Sequence, residues 1–347
     1  MTELPAVLPL DYTPVTLADR LGSDWAVTLA EAYRWMLLAR ALDRRMLGLQ
    51  RQGRIGFYGP TTGQEAVSVA AGLGSRPDDW IVPGLREQLI ALVRGHPLGT
   101  YVNHLFANDR DPARGRQMPC HPTAREVHYL SMSSVVGTQI THAVGLAFGM
   151  RRRQSTGVTY AFFGDGATSA NDFHAGLNFA GVLQVPVVFC CTNNQWAISV
   201  PVEHQTHVAQ LADKAAAYGL PGRRVDGTDF VASFSALQEA AKKARAGGGP
   251  SMIEFVLFRM TPHSSSDDPT RYQAPDWMSR AVAMDPMRRV EELIDRLQIL
   301  PEDDRFRFAE QAEEEVKVAI RSAETVAPPA EGSLTTDVLA PVGPDSR

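Results

Sequence analysis

Two apolar runs of strand length, VTYAFFG (residues 158–164) and VPVVFCC (185–191), flank a segment of helical periodicity with Phe173, Leu177 and Ala180 on one face. A strand, a helix and a second strand in this order predict a β-α-β unit. Its strands are expected to be parallel, joined by a right-handed crossover. Few folds satisfy that constraint, because parallel strands have both faces covered by helices. DDWIVPG (78–84), RRVDGTD (223–229) and SMIEFVLFRM (251–260) supply further strand candidates, with a helix near 230–246. The fold class that follows is α/β, a mostly parallel sheet with helices on both faces.

The rest of the chain divides around that unit. Residues 1–25 hold three prolines and little periodicity and read as an N-terminal arm laid on a surface. Residues 26–50 are helical in pattern, and GRIGFYGPTTGQEA (53–66) is a glycine-rich loop entering a helix over 64–73. Another helix is expected to start within 86–93. The polar, basic and proline-containing stretch 107–126 is too long for mere connection, which marks a functional loop. Residues 131–150 pass from a small-residue loop into a helix. The expected organisation is an arm (1–25), one α/β domain (26–295), and a C-terminal helix with a poorly ordered tail (296–347).

A formal net charge of −5 leaves no electrostatic footprint for nucleic acid. The short basic clusters 151–153 and 242–245 read as solvated helix ends. Three cysteines without a framework indicate a reducing compartment. Cys190 and Cys191 fall in an apolar run and are expected in the core. Cys120 and His121 are adjacent, and adjacent side chains seldom face each other, which argues against a nucleophile and its base. The first residues lack the pattern of a signal peptide, and no apolar run reaches the ~20 residues that span a bilayer. The reading is a cytoplasmic protein with neither a membrane nor a nucleic-acid partner.

Open parallel sheets bind ligands at the carboxyl ends of their strands. Asp165 lies just beyond the first strand of the unit, and Asn193 and Asn194 are expected just beyond the second. The crossover therefore brings a carboxylate and an amide oxygen to one edge, across the 26 residues 167–192 that separate GDG from NN. One carboxylate, neutral oxygens and open positions suit Mg²⁺ shared with a phosphorylated ligand. Gly164 and Gly166 allow close approach of backbone to a diphosphate. A helix N-terminus expected near Ala167 would favour the anion. A lone GDG is commonly a turn and a lone NN commonly a cap. Their spacing and placement at strand ends make the pair specific.

GDG, 26 residues and NN together resemble the thiamin-diphosphate fingerprint. GRQMP, SSVVGTQI, GDGATS, HAGLNFA, NNQWAIS, ADKAAAYGLPG, VDGTD and PHSSSDDPTRY follow in the order found in the alpha subunit of the decarboxylating component of 2-oxoacid dehydrogenase complexes, nearest to the branched-chain type. The resemblance covers about residues 26–295. It implies a thiamin-diphosphate-binding fold of the diphosphate-binding type.

The resemblance also implies roles. Asp165, Asn194 and the backbone carbonyl of Trp196 would hold Mg²⁺, and Gly164, Gly166 and Ala167 would border the diphosphate. Arg86 in GLRE matches an arginine on the diphosphate, with Leu85 in place of a tyrosine, and Thr192 stands where some relatives have an arginine. Ser134 and Val136 match the loop that meets the aminopyrimidine ring. Ser133, Thr138 and Gln139 match a K⁺ site of some branched-chain members. His263 matches the active-site histidine, suited to proton transfer or acyl transfer. Ser264 sits where animal relatives are phosphorylated, and its surroundings, Asp267, Asp268 and Arg271, equally suit a loop held by ion pairs. His121 is a further candidate because its loop faces the active-site channel in relatives. His204 and His207 lack the further ligands of a zinc site.

The implied reaction is decarboxylation of a 2-oxoacid, of branched-chain type, followed by acyl transfer to lipoyl-lysine of the acyltransferase component. The glutamate that activates the cofactor would come from a beta subunit in an α2β2 heterotetramer, so the chain would carry half of an active site. The alternatives are a pyruvate or acetoin dehydrogenase alpha subunit, or a catalytically silent scaffold of the same fold.

Overall fold

β2 (Thr159–Gly164) and β3 (Val187–Asn193) run parallel, in a register that sets Gly164 beside Thr192. They form the middle of a five-stranded, wholly parallel sheet. β1 (Trp80–Val82) flanks β2, and β7 (Ser251–Val256) followed by β6 (Gly222–Asp226) flank β3. A two-stranded hairpin, β4 (Trp196–Ala197) and β5 (Val200–Pro201), follows β3 directly. The computed structural model describes residues 10–336. The start of the expected arm and the end of the expected tail lie outside them.

Alternation along the strands makes two cores. Tyr160 and Phe162 of β2, with Val188 and Cys190 of β3, face one apolar layer. Ala161, Phe163, Val187, Phe189 and Cys191 face the other. The two cysteines are both in the core, as expected, but on opposite faces. Eleven α-helices are seen among the described residues. They are α1 (Pro14–Leu21), α2 (Trp25–Arg51), α3 (Glu65–Gly74), α4 (Gln88–Val93), α5 (Leu98–Phe106), α6 (Thr138–Arg152), α7 (Asn171–Leu183), α8 (Phe230–Arg245), α9 (Trp277–Ala283), α10 (Pro286–Leu297) and α11 (Glu302–Glu324). The first layer is covered by α2, α3, α4 and α8, and the second by α6 and α7. Phe173, Leu177 and Ala180 all turn inward from α7.

Three boundaries differ from the sequence reading. β3 extends through Asn193, because pairing with β7 continues to Asn193 beside Val256 after the apolar run has ended. Asp165–Ser169 is a 3-10 turn, and Ala170 is extended, so the α-helix starts at Asn171 rather than near Ala167. Within 1–25, Pro14–Leu21 forms a helix, its start capped by reciprocal bonds between Thr13 and Thr16. Tyr12 then donates to Asp229 at 2.6 Å, tying this segment to the start of α8. At the other end, Ala312, Val316, Ala319, Ile320 and Ala323 of α11 recur at helical spacing and join the same core as α2 and α5. Among the described residues no helix is long and apolar enough to cross a membrane.

Candidate functional site

The carboxyl ends of β1, β2, β3 and β7 open on a cleft of about 480 Å³. The residues proposed from sequence for thiamin diphosphate and Mg²⁺ lie on it: Arg86 beyond β1; Gly164, Asp165, Gly166 and Ala167 at the end of β2; Asn194 and Trp196 beyond β3; His263 beyond β7. Thr138, matched to a K⁺ site, does not. Ser134 and Val136 border it from the loop before α6, with Ser133 and Gln139; Leu85 and Thr192 line it as well. The strand order brings together residues as far apart in sequence as Arg86 and His263.

Asp165 is buried, 2% exposed, and its Oδ2 accepts a hydrogen bond from Gln205 Nε2 at 2.9 Å. Burial pushes its carboxyl up to about 6, against the opposing pull of the Gln205 bond. Asn193, the last residue of β3, and Asn194, just beyond it, have opposite surroundings. Asn193 Nδ2 donates to the buried Glu254 at 2.8 Å and its Oδ1 accepts the Gln195 N–H at 3.0 Å, so it braces the sheet. Asn194 lines the cleft; its Oδ1 accepts the Trp196 N–H at 3.2 Å, and its Nδ2 lies 3.4 Å from Gln64 Oε1. Gln195, between Asn194 and Trp196, has φ 71°, and Ile198 has φ 58°, a conformation that residues with a Cβ rarely adopt. The Trp196 carbonyl accepts from Arg259 Nη1 at 3.3 Å.

The opposite wall is cationic. Arg86, buried, donates to the carbonyls of Pro60 and His263, and through Nη2 to His263 Nδ1 at 3.1 Å. A guanidinium can only donate, so Nδ1 is the acceptor and the neutral ring carries its proton on Nε2. Burial, then the charges of Arg86 and Arg259, push His263 down to about 4. Burial and Arg259 lower Arg86 itself to about 10. The loop that follows is tied by hydrogen bonds: Asp267 accepts from the His263 N–H at 2.7 Å and from Tyr272, while Asp268 accepts from Thr270. Glu87 also lines the cleft, its carboxyl pushed up by burial, and accepts from Thr192 Oγ1 at 3.3 Å.

His121 is buried behind the cleft. Its Nδ1 donates to the Pro119 carbonyl at 3.0 Å, which leaves Nε2 to accept from the Ser134 hydroxyl. Cys120 is fully buried, and burial pushes its thiol up to about 12, as an inert core thiol requires. Gln64, Glu87, Gln205 and Arg259 are the site residues that sequence reasoning passed over. Gln64 had a signal, since it ends the glycine-rich loop. Glu87 had one too, as the acid of GLRE, whereas Gln205 and Arg259 had none.

The cleft leaves both polar atoms and space for an occupant. Gln64 Nε2 and Gln139 Oε1 are buried there without a hydrogen-bond partner. A Cβ built on Gly164 meets nothing nearer than the Thr192 carbonyl at 4.0 Å, so the missing side chain leaves open space at the strand end. Gly166 has a different reason: its Cβ would lie 2.7 Å from that of Ala197 in the hairpin. Neither glycine needs a left-handed backbone. Among the described residues no cluster of three acidic, histidine or cysteine side chains offers an all-protein metal cage.

A family model described as "Dehydrogenase E1 component" matches residues 33–331. The chain is 41% identical over 297 residues to the 3-methyl-2-oxobutanoate dehydrogenase subunit alpha of Mycobacterium tuberculosis, covering 82% of this chain and 77% of that protein. It is 38% identical over 297 residues to the pyruvate dehydrogenase E1 component subunit alpha of Bacillus subtilis, covering 85% and 78%. The 2-oxoisovalerate dehydrogenase subunit alpha 1, mitochondrial, of Arabidopsis thaliana is 36% identical over 293 residues, covering 84% and 62%.

Proposed function

The chain belongs to the dehydrogenase E1 component family as an alpha subunit of a 2-oxoacid dehydrogenase, and from that premise we propose that its cleft holds thiamin diphosphate through Mg²⁺ and serves a branched-chain 2-oxoacid. The observation that carries the reading is the convergence of Asp165, Asn194 and the Trp196 carbonyl on one wall and Arg86 with His263 on the other. Asp165, Asn194 Oδ1 and the Trp196 carbonyl would supply three oxygens, one of them anionic. That set suits a hard cation that takes its remaining ligands from water and phosphate. Arg86 would pair with the diphosphate, and Gly164, Gly166 and Ala167 would border it. Gln139 Oε1 with Ser133 and Thr138 would suit a K⁺ ion.

When bound, thiamin diphosphate supplies the electron sink that loss of CO₂ from a 2-oxoacid needs. This chain binds and orients. Ser134, fixed by His121, and Val136 would meet the ring end of the cofactor. His263, held neutral with its proton on Nε2, would offer a hydrogen bond from Nε2 to an oxygen of the cofactor or of the acyl group in transfer. The apolar rim of Leu85, Val136, Ile198 and Val200 suits an aliphatic side chain and helps to exclude water. A beta subunit in an α2β2 assembly would supply the activating glutamate, and the lipoyl group of an acyltransferase would take the acyl product. Pyruvate is the second reading, favoured by the 38% identity to the Bacillus subtilis subunit.

Co-expression with a beta-type subunit, followed by equilibrium dialysis with thiamin diphosphate, tests the reading. Retention that depends on Mg²⁺ is expected. The assembled pair should release CO₂ faster from branched 2-oxoacids than from pyruvate. No Mg²⁺-dependent retention would remove the metal and cofactor reading, and a preference for pyruvate would replace the substrate.

A further inference from the structure

Taking Asp165 as a cation ligand, as read above, we propose that Gln205 is a positioning residue that sets the orientation of that carboxylate and couples it to the hairpin carrying Trp196. Among the described residues, the Gln205 amide is the one side-chain hydrogen-bond donor to Asp165, at 2.9 Å on Oδ2. The same nitrogen lies 3.4 Å from the Val200 carbonyl. Both neighbours are acceptors, so the amide must turn its nitrogen, not its oxygen, toward them. A buried carboxylate with a single side-chain donor, itself neutral, keeps lone pairs for a cation.

Gln205 arrives from a separate part of the chain. It follows the 3-10 turn Val202–His204, and its N–H bonds to the Val202 carbonyl at 3.0 Å. That turn continues from β5, whose Val200 and Pro201 pair with Ala197 and Trp196 of β4. The hairpin lies directly on the GDG turn: a Cβ on Gly166 would sit 2.7 Å from Ala197 Cβ and 3.6 Å from Gln205 Oε1. One amide therefore links two of the three oxygen donors, the Asp165 carboxylate and the Trp196 carbonyl. Without it the carboxylate is free to rotate about its last bond, and the hairpin loses a tie to β2. Mg²⁺ demands near-octahedral geometry, whereas Ca²⁺ accepts irregular sites, so the loss falls more heavily on Mg²⁺.

Gln205→Met keeps length and volume and removes the donor. In the co-expressed complex with thiamin diphosphate present, the Mg²⁺ concentration for half-maximal cofactor retention is expected to rise about 10- to 100-fold, as for other residues that hold a metal ligand. The Ca²⁺ requirement should rise less, and the metal-free complex should melt within a few degrees of wild type. Gln205→Asn withdraws the amide by one methylene and should shift in the same direction, so assembly of either variant suffices. Unchanged Mg²⁺ dependence, or an equal loss for Ca²⁺, overturns the role of Gln205. A wild-type complex that shows no Mg²⁺ dependence overturns the underlying metal reading as well.

Discussion

The two walls of the cleft are built on opposite principles. On the β2–β3 side a buried carboxylate, Asp165, faces a neutral amide and backbone oxygens, and burial pushes its carboxyl up to about 6. On the β1–β7 side Arg86 and Arg259 crowd His263 and push it down to about 4. Each wall makes its own charge uncomfortable. A divalent cation at the first and a diphosphate at the second, as proposed, would relieve both.

Breaking one wall at a time separates their contributions. The largest effect is expected from Asp165→Ala: cofactor-dependent decarboxylation by the α/β complex should fall below about one-hundredth of wild type, more than is typical for residues that only hold a ligand. Unchanged turnover would exclude the metal site. Arg86→Met should weaken thiamin diphosphate by about 10- to 100-fold, worth ~1.4–2.8 kcal/mol, in dialysis at saturating Mg²⁺. An equal change in Mg²⁺ dependence at saturating cofactor would show that the walls are not independent. Gly166→Ala comes next. Its new methyl meets Ala197 Cβ at 2.7 Å, so denaturant unfolding should show about 1–3 kcal/mol of overpacking cost. Mg²⁺ affinity should fall as the hairpin shifts.

The smallest effect is in the pH dependence of the metal-free complex. Between 3.8 and about 6 the folded protein holds a proton on Asp165 that the unfolded chain has released. This contribution is present below 3.8 and is lost as pH rises through about 6. His263 works the other way: its stabilising contribution is present above 6.5 and is lost as pH falls through about 4. The two slopes oppose each other over the shared window. Asp165→Asn should therefore make the melting temperature climb more steeply with pH there, and His263→Gln less steeply. Identical slopes in all three proteins would contradict the picture of two opposed walls.

Much of this arrangement was legible along the chain. The strands were readable because a parallel sheet buried on both faces needs near-continuous apolar runs, and Thr159–Gly164 and Val187–Asn193 consist largely of such residues. Asp165 and Asn194 were readable because a crossover returns to the same sheet edge. Asn193 was misplaced because its membership of β3 depends on hydrogen bonding to β7, about sixty residues later. The start of the α-helix was misplaced because a 3-10 turn precedes it without any sequence marker.

The sequence by itself determined the strands, their order along the chain and the placement of Asp165 and the paired asparagines at strand ends, since periodicity and strand ends are local properties. Most of the remaining site candidates came from the family resemblance. Only the tertiary structure decided that Asn193 braces the sheet through Glu254, that Arg86 lies against His263, and that Gln205 donates to Asp165. Those outcomes depend on strand register and on contacts between segments 40 to 177 residues apart. Local propensity carries no information about such contacts, because hydrogen-bond geometry arises only after the chain has packed.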